Sequence, residues 1–121
     1  MTLISDKSVS WPDGEIDRQV PVQDGDTGAY ALQVWNTKTI VDLSPTQDAQ
    51  VNLTIDAELR DGSELILNIN QDAVGRAVSF DSNIEGDNLA GAANDRDTVY
   101  LVYNKDAGTF RIVSNHKTVD A

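Results

Sequence analysis

A chain of 121 residues, 40% hydrophobic and 24% charged, has the size and make-up of one soluble domain able to bury a core. Twenty acidic residues against nine basic ones give a net charge of −11, which opposes the phosphate backbone and excludes nucleic acid as a partner. The absence of cysteine excludes disulfides, thiolate catalysis and Cys-based zinc sites.

Residues 1–28, MTLISDKSVSWPDGEIDRQVPVQDGDTG, hold two turn clusters, WPDG and QDGDTG, with no sustained periodicity between them. They read as an extended N-terminal arm ahead of a single β domain over 29–121. The first residues lack the basic-then-apolar pattern of a signal peptide, and no run of about eighteen apolar residues follows. Neither classical secretion nor membrane insertion is indicated, and synthesis in a cytoplasm is expected. Trp11, beside Pro12, reads as an anchor for a neighbouring surface, because an arm with little core has few other uses for so large an apolar side chain.

From Tyr30 the pattern sharpens. YALQVW, KTIVDL and AQVNLTI read as successive strands, with Val51, Leu53 and Ile55 alternating against Asn52, Thr54 and Asp56. Trp35 closes the first of these and reads as a core or rim aromatic ahead of a sugar-stacking one. SPTQD separates the second and third, and Asp61–Gly62 in LRDGSE gives a hairpin-type signal. Leu65, Leu67 and Ile69 then share one face of a strand. Its expected antiparallel partner is RAVSFD, with Gln71, Asp72 and Gly75 forming the hairpin turn between them.

Residues 82–97, SNIEGDNLAGAANDRD, form the longest irregular segment, with Asn88 and Leu89 as candidate contact residues. Two more strands follow, TVYLVYN and TFRIVS, joined by KDAG, and NHKTVDA reads as an exposed polar tail. Short strands every ten residues or so, with no amphipathic helix, predict an all-β fold, an antiparallel sandwich or barrel-like domain. No internal repeat stands out. The expected buried set is Val51, Leu53, Ile55, Leu65, Leu67, Ile69, Val78, Phe80, Val99, Leu101, Phe110 and Ile112.

The residues offer little for chemistry. The single histidine, His116, sits in the polar tail, a poor place for a catalytic base. Asp56, Glu58, Asp61 and Glu64 are close in sequence but lack a cleft of aromatics to accompany a glycosidase pair. Asp87, Asn88, Asn94, Asp95 and Asp97, and separately Asp24 and Asp26, supply oxygen ligands, yet the same residues are default turn formers and no EF-hand spacing occurs. No Walker or dinucleotide glycine pattern is present. No catalytic residue, metal site or cofactor is expected.

LRDGSELILNINQDAVGRAVSFD followed by DTVYLVYNKDAGTFRIVS, within residues 49–114, resembles small β-rich modules of tailed-bacteriophage virions, such as head decoration or cement proteins, head fibres and tail-fibre domains. The matching residues are Gly62, Leu65, Leu67, Ile69, Gln71, Asp72, Gly75, Val78, Phe80, Val99, Leu101 and Tyr103. The resemblance implies a non-enzymatic cement protein on the capsid surface, a homotrimer bound to the major capsid protein. Trp11, Pro12, Ile16, Val20, Val22, Asn88 and Leu89 would make its capsid or subunit contacts. The alternative it leaves is a tail- or fibre-associated module binding host-surface carbohydrate, with Trp35, Tyr100 and the acidic loop 82–97 facing the receptor.

Overall fold

The computed structural model describes residues 16–118, and among these described residues there are nine strands and no helix. They are β1 (Ile16–Gln19), β2 (Ala29–Val34), β3 (Lys38–Leu43), β4 (Ala49–Ile55), β5 (Glu64–Asn70), β6 (Val78–Phe80), β7 (Ile84–Glu85), β8 (Arg96–Asn104) and β9 (Thr109–Thr118). The odd members β1, β3 and β5 lie side by side in parallel in one sheet, and β2, β4 and β6 lie in parallel in another. The chain therefore alternates between two sheets, coil after coil, in a solenoid-like stack. The complete sheet orders are β1-β3-β5-β8-β9-β7 and β2-β4-β6.

The all-β expectation holds, but the antiparallel one does not for these six strands. Alternation in strands such as AQVNLTI is commonly the mark of an antiparallel sheet with one wet face. Here each parallel pair is joined through a strand of the opposite sheet, which supplies the long crossover that parallel pairing needs. One face of every strand stays outside, so the alternation survives.

Inward-facing residues line up across strands. Thr39, Leu65 and Leu101 share one row, and Val41, Leu67 and Val99 the next. On the opposite sheet Tyr30, Val51 and Phe80 align, as do Leu32 and Leu53. All of these residues but Thr39 and Phe80 belong to one buried cluster, in which each fully buried Leu or Val contributes about 1.5–3 kcal/mol relative to exposure. Nine of the twelve residues expected inside are buried, while Ile55, Phe80 and Ile112 pack against the cluster half-buried.

Two expected hairpins are absent. β5 does not turn back onto β6: it pairs with β3 and β8, and β6 crosses to the other sheet to pair with β4. Asp61–Gly62 likewise serves the return from β4 to β5 between sheets, not a hairpin. The KDAG turn does join an antiparallel pair, β8 and β9, whose first strand lies on β5. Gly108 N–H donates to Asn104 O at 2.8 Å to close that turn. The register slips between Tyr100 and Leu101, leaving Val113 as the extra residue of a bulge. β9 continues through the segment read as a tail, so His116 is an exposed strand residue opposite Thr98.

Residues 16–28 of the expected arm are built into the stack as its first coil, with β1 paired along β3. Trp11 and Pro12 lie outside the described residues. Among the described residues no helix is long and apolar enough to cross a membrane.

Candidate functional site

Gln-Asp recurs every 24 residues, at Gln23–Asp24, Gln47–Asp48 and Gln71–Asp72. This is the internal repeat that the sequence reading missed. Each pair stands where the chain leaves the six-stranded sheet for the three-stranded one. A corner breaks the backbone ladder, and its polar groups need other partners. The glutamines supply them. Gln23 Nε2 donates to Gly28 O and to Gln47 O, each at 3.0 Å, while its Oε1 accepts from Thr46 N–H at 2.9 Å. Gln47 Nε2 donates to Gly25 O at 3.0 Å, tying the same two corners in the opposite sense. Gln71 is buried and closes on its own loop, accepting from Arg76 N–H at 2.6 Å and donating to Arg76 O at 2.8 Å.

The aspartates shape the turns. Asp24 Oδ1 accepts from Asp26 and Thr27 N–H groups, and Asp72 Oδ1 from those of Val74 and Gly75. Asp48 Oδ1 instead reaches the next coil and accepts from Ala77 N–H at 3.1 Å. Asp72 also pairs with the Arg76 guanidinium at 2.9 Å. That side-chain bond, helped by the Val74 N–H, holds the Asp72 carboxyl below its ordinary value.

The segment 82–97 packs onto this third corner. Gln71 N–H donates to Asp95 O and Asn94 N–H to Asp72 O. Gly75 has φ 84°, and a Cβ there would lie 2.8 Å from the Ala92 carbonyl carbon. Gln71, Asp72 and Gly75 therefore form a corner locked under a loop, not an exposed hairpin tip. In the same segment Leu89 is half-buried against the core and exchanges backbone bonds with Val78. Asn88 is exposed, and its Oδ1 accepts from Phe80 N–H at 3.2 Å. Asp81 and Asn83 extend the β4–β6 ladder with side chains: Asp81 Oδ2 accepts from Leu53 N–H, and Asn83 Nδ2 donates to Leu53 O.

The remaining contact candidates gather at the first coil. Ile16 is 39% exposed, Val20 75% and Val22 89%, and these are three of the six large apolar side chains that stand out among the described residues. β1 and β2 are also terminal strands of their two sheets. Among the described residues, one end of the stack thus offers strand edges and bare valines together.

Beside it, Asp17, Arg18, Gln19, Gln33, Trp35 and Thr54 line an open groove of about 410 Å³. Trp35 and Tyr100 are not brought together, since Trp35 directly follows β2 of the three-stranded sheet and Tyr100 sits on β8 of the six-stranded one. Among the described residues no group of three His, Asp or Glu side chains is placed to hold a metal ion.

No family model matches the chain, and no curated protein does. A solved structure described as "Structure of a chaperone-substrate complex" is similar at 13% identity, with a TM-score of 0.48. The match covers 83% of this chain and 17% of that one.

Proposed function

We propose that this protein is a structural component of a tailed-phage virion that docks through the open edge of its first coil. The observation that carries this reading is that Ile16, on the terminal strand β1, and Val20 and Val22, on the connection from β1 to the terminal strand β2, are all bare. A terminal strand presents unpaired backbone donors and acceptors, and proteins usually blunt it with charge or proline. Pro21 lies between the valines just past the end of β1, and Val20 and Val22 remain bare. Added strands and buried valines together would bind a partner whose own edge is extended, with the major capsid protein as that partner. Many copies on one particle would then multiply a modest single-site affinity.

A head-surface location as a cement protein is the first reading. A tail or fibre module that binds carbohydrate is the second, supported by the groove that Trp35 shares with Gln19, Gln33 and Thr54. Co-sedimentation with purified particles tests the first. The chain should pellet with them, and Val20→Ser with Val22→Ser should stay in the supernatant while keeping its melting temperature. Glycan-array binding lost on Trp35→Ala, with no particle binding, would establish the second instead.

A further inference from the structure

The outer faces of the two sheets differ in kind. The three-stranded sheet presents Ala31, Gln33, Gln50, Asn52, Thr54 and Ser79, with no large apolar side chain. The six-stranded sheet presents an apolar row across three adjacent strands: Ile40 pairs in register with Ile66, and Ile66 with Tyr100. Both isoleucines are half-buried by their neighbours, Tyr100 is 41% exposed, and Val102 flanks the row. No described strand packs over this face.

Charge is also distributed unlike the rest of the molecule. This face holds Arg18, Lys38, Arg96 and Arg111 against Asp42, Glu64 and Glu85, in a chain whose net charge is −11. Over β1, β3 and β5 the charges balance, so a second copy can approach there without the repulsion that the rest of the surface imposes.

We infer that this face pairs two copies of the chain about a two-fold axis running along the row Ile40–Ile66–Tyr100. Lys38 and Asp42 lie two residues to either side of Ile40, on the same outer face. Rotation about the row reverses β3 upon its counterpart. Lys38 is then set against the partner's Asp42, and Asp42 against the partner's Lys38, while Arg18, at the end of the row, meets its own counterpart with each guanidinium held by Asp42 of the same chain at 3.1 Å. A two-fold axis along β5, the middle strand of the row, would instead set Glu64 against the partner's Glu64 and is disfavoured. Two sheets packed face to face in this way keep their strands nearly aligned, as the paired rows need. An apolar row that ends on an aromatic and is rimmed by charge also has the usual composition of a protein interface. The trimer implied by the virion resemblance has no such axis.

Sedimentation velocity of the full-length chain at tens of micromolar and physiological salt tests this. The expected species is a dimer. Ile66→Asp should weaken it about a hundredfold, as loss of a central contact does, with an unchanged circular dichroism spectrum. Lys38→Asp should weaken it about tenfold, and Lys38→Asp combined with Asp42→Lys should recover it. The two residues are about 13 Å apart along one extended strand, too far to touch, so recovery reads a contact between chains. A monomeric or trimeric wild type overturns the inference. So does a dimer indifferent to Ile66→Asp, or a folded double variant that stays as weak as Lys38→Asp alone.

Discussion

The side-chain amide of Gln23 donates to the backbone carbonyl of Gln47, its counterpart one coil further along the chain, at 3.0 Å. Coils of a solenoid are held mainly by neighbour-to-neighbour contacts, and this bond joins two neighbours where their strands have ended.

Gln23→Ala removes bonds to Gly28, Gln47 and Thr46 and leaves three backbone groups to find water. The expected loss is about 2 kcal/mol, with a similar loss for the buried Gln71→Ala. Gln47→Ala, whose bonds lie in exposed loops, should cost under ~1 kcal/mol. Urea denaturation of the three variants measures the order.

Acid should act through the third corner. Asp72 has a lowered pKa in the folded chain, because of Arg76 first and the Val74 N–H next. Its contribution is therefore fully present above the ordinary carboxylate value of 3.8 and is lost as pH falls through the lower folded value. Asp72→Asn should reduce stability at neutral pH and flatten the acid limb of the stability curve between about pH 5 and 2. Thermal melts across that window measure it.

Gly91 has φ 73°, and a Cβ there would fall 2.0 Å from Arg76 O, beneath the same corner. Gly91→Ala combines left-handed strain with a backbone clash and should cost about 3 kcal/mol. Gly108→Ala meets open space at the β8–β9 turn and should cost about 1 kcal/mol. Chemical denaturation separates the two.

The strands and their inner faces were legible because burial imposes period two, as in Leu65, Leu67 and Ile69. The pairing was not legible. Whether RAVSFD returns beside LILNIN or crosses to AQVNLTI depends on where the corner sends it, and Gly75 permits either path. The repeat was hidden by changing coil lengths: Ile16 registers with Lys38, and Lys38 with Glu64, so one coil takes 22 residues and the next 26. Only the corner dipeptide keeps a constant spacing, and two residues in 24 give a faint signal. Of the site residues, Val20 and Val22 stand out in the sequence as contacts because they sit in a stretch without periodicity, and they are bare at the first coil. Leu89 lies in the same kind of sequence, yet it packs on its own core through its bridge to Val78, which no local pattern announces.

Docking through the first coil is tested most directly by hydrogen–deuterium exchange of the full chain, free and bound to purified particles. Amides of residues 16–22 and of β2 should exchange more slowly in the bound state, while those of 82–97 stay unchanged. Unchanged exchange over 16–22 and β2, with protection appearing over 82–97 instead, would contradict it.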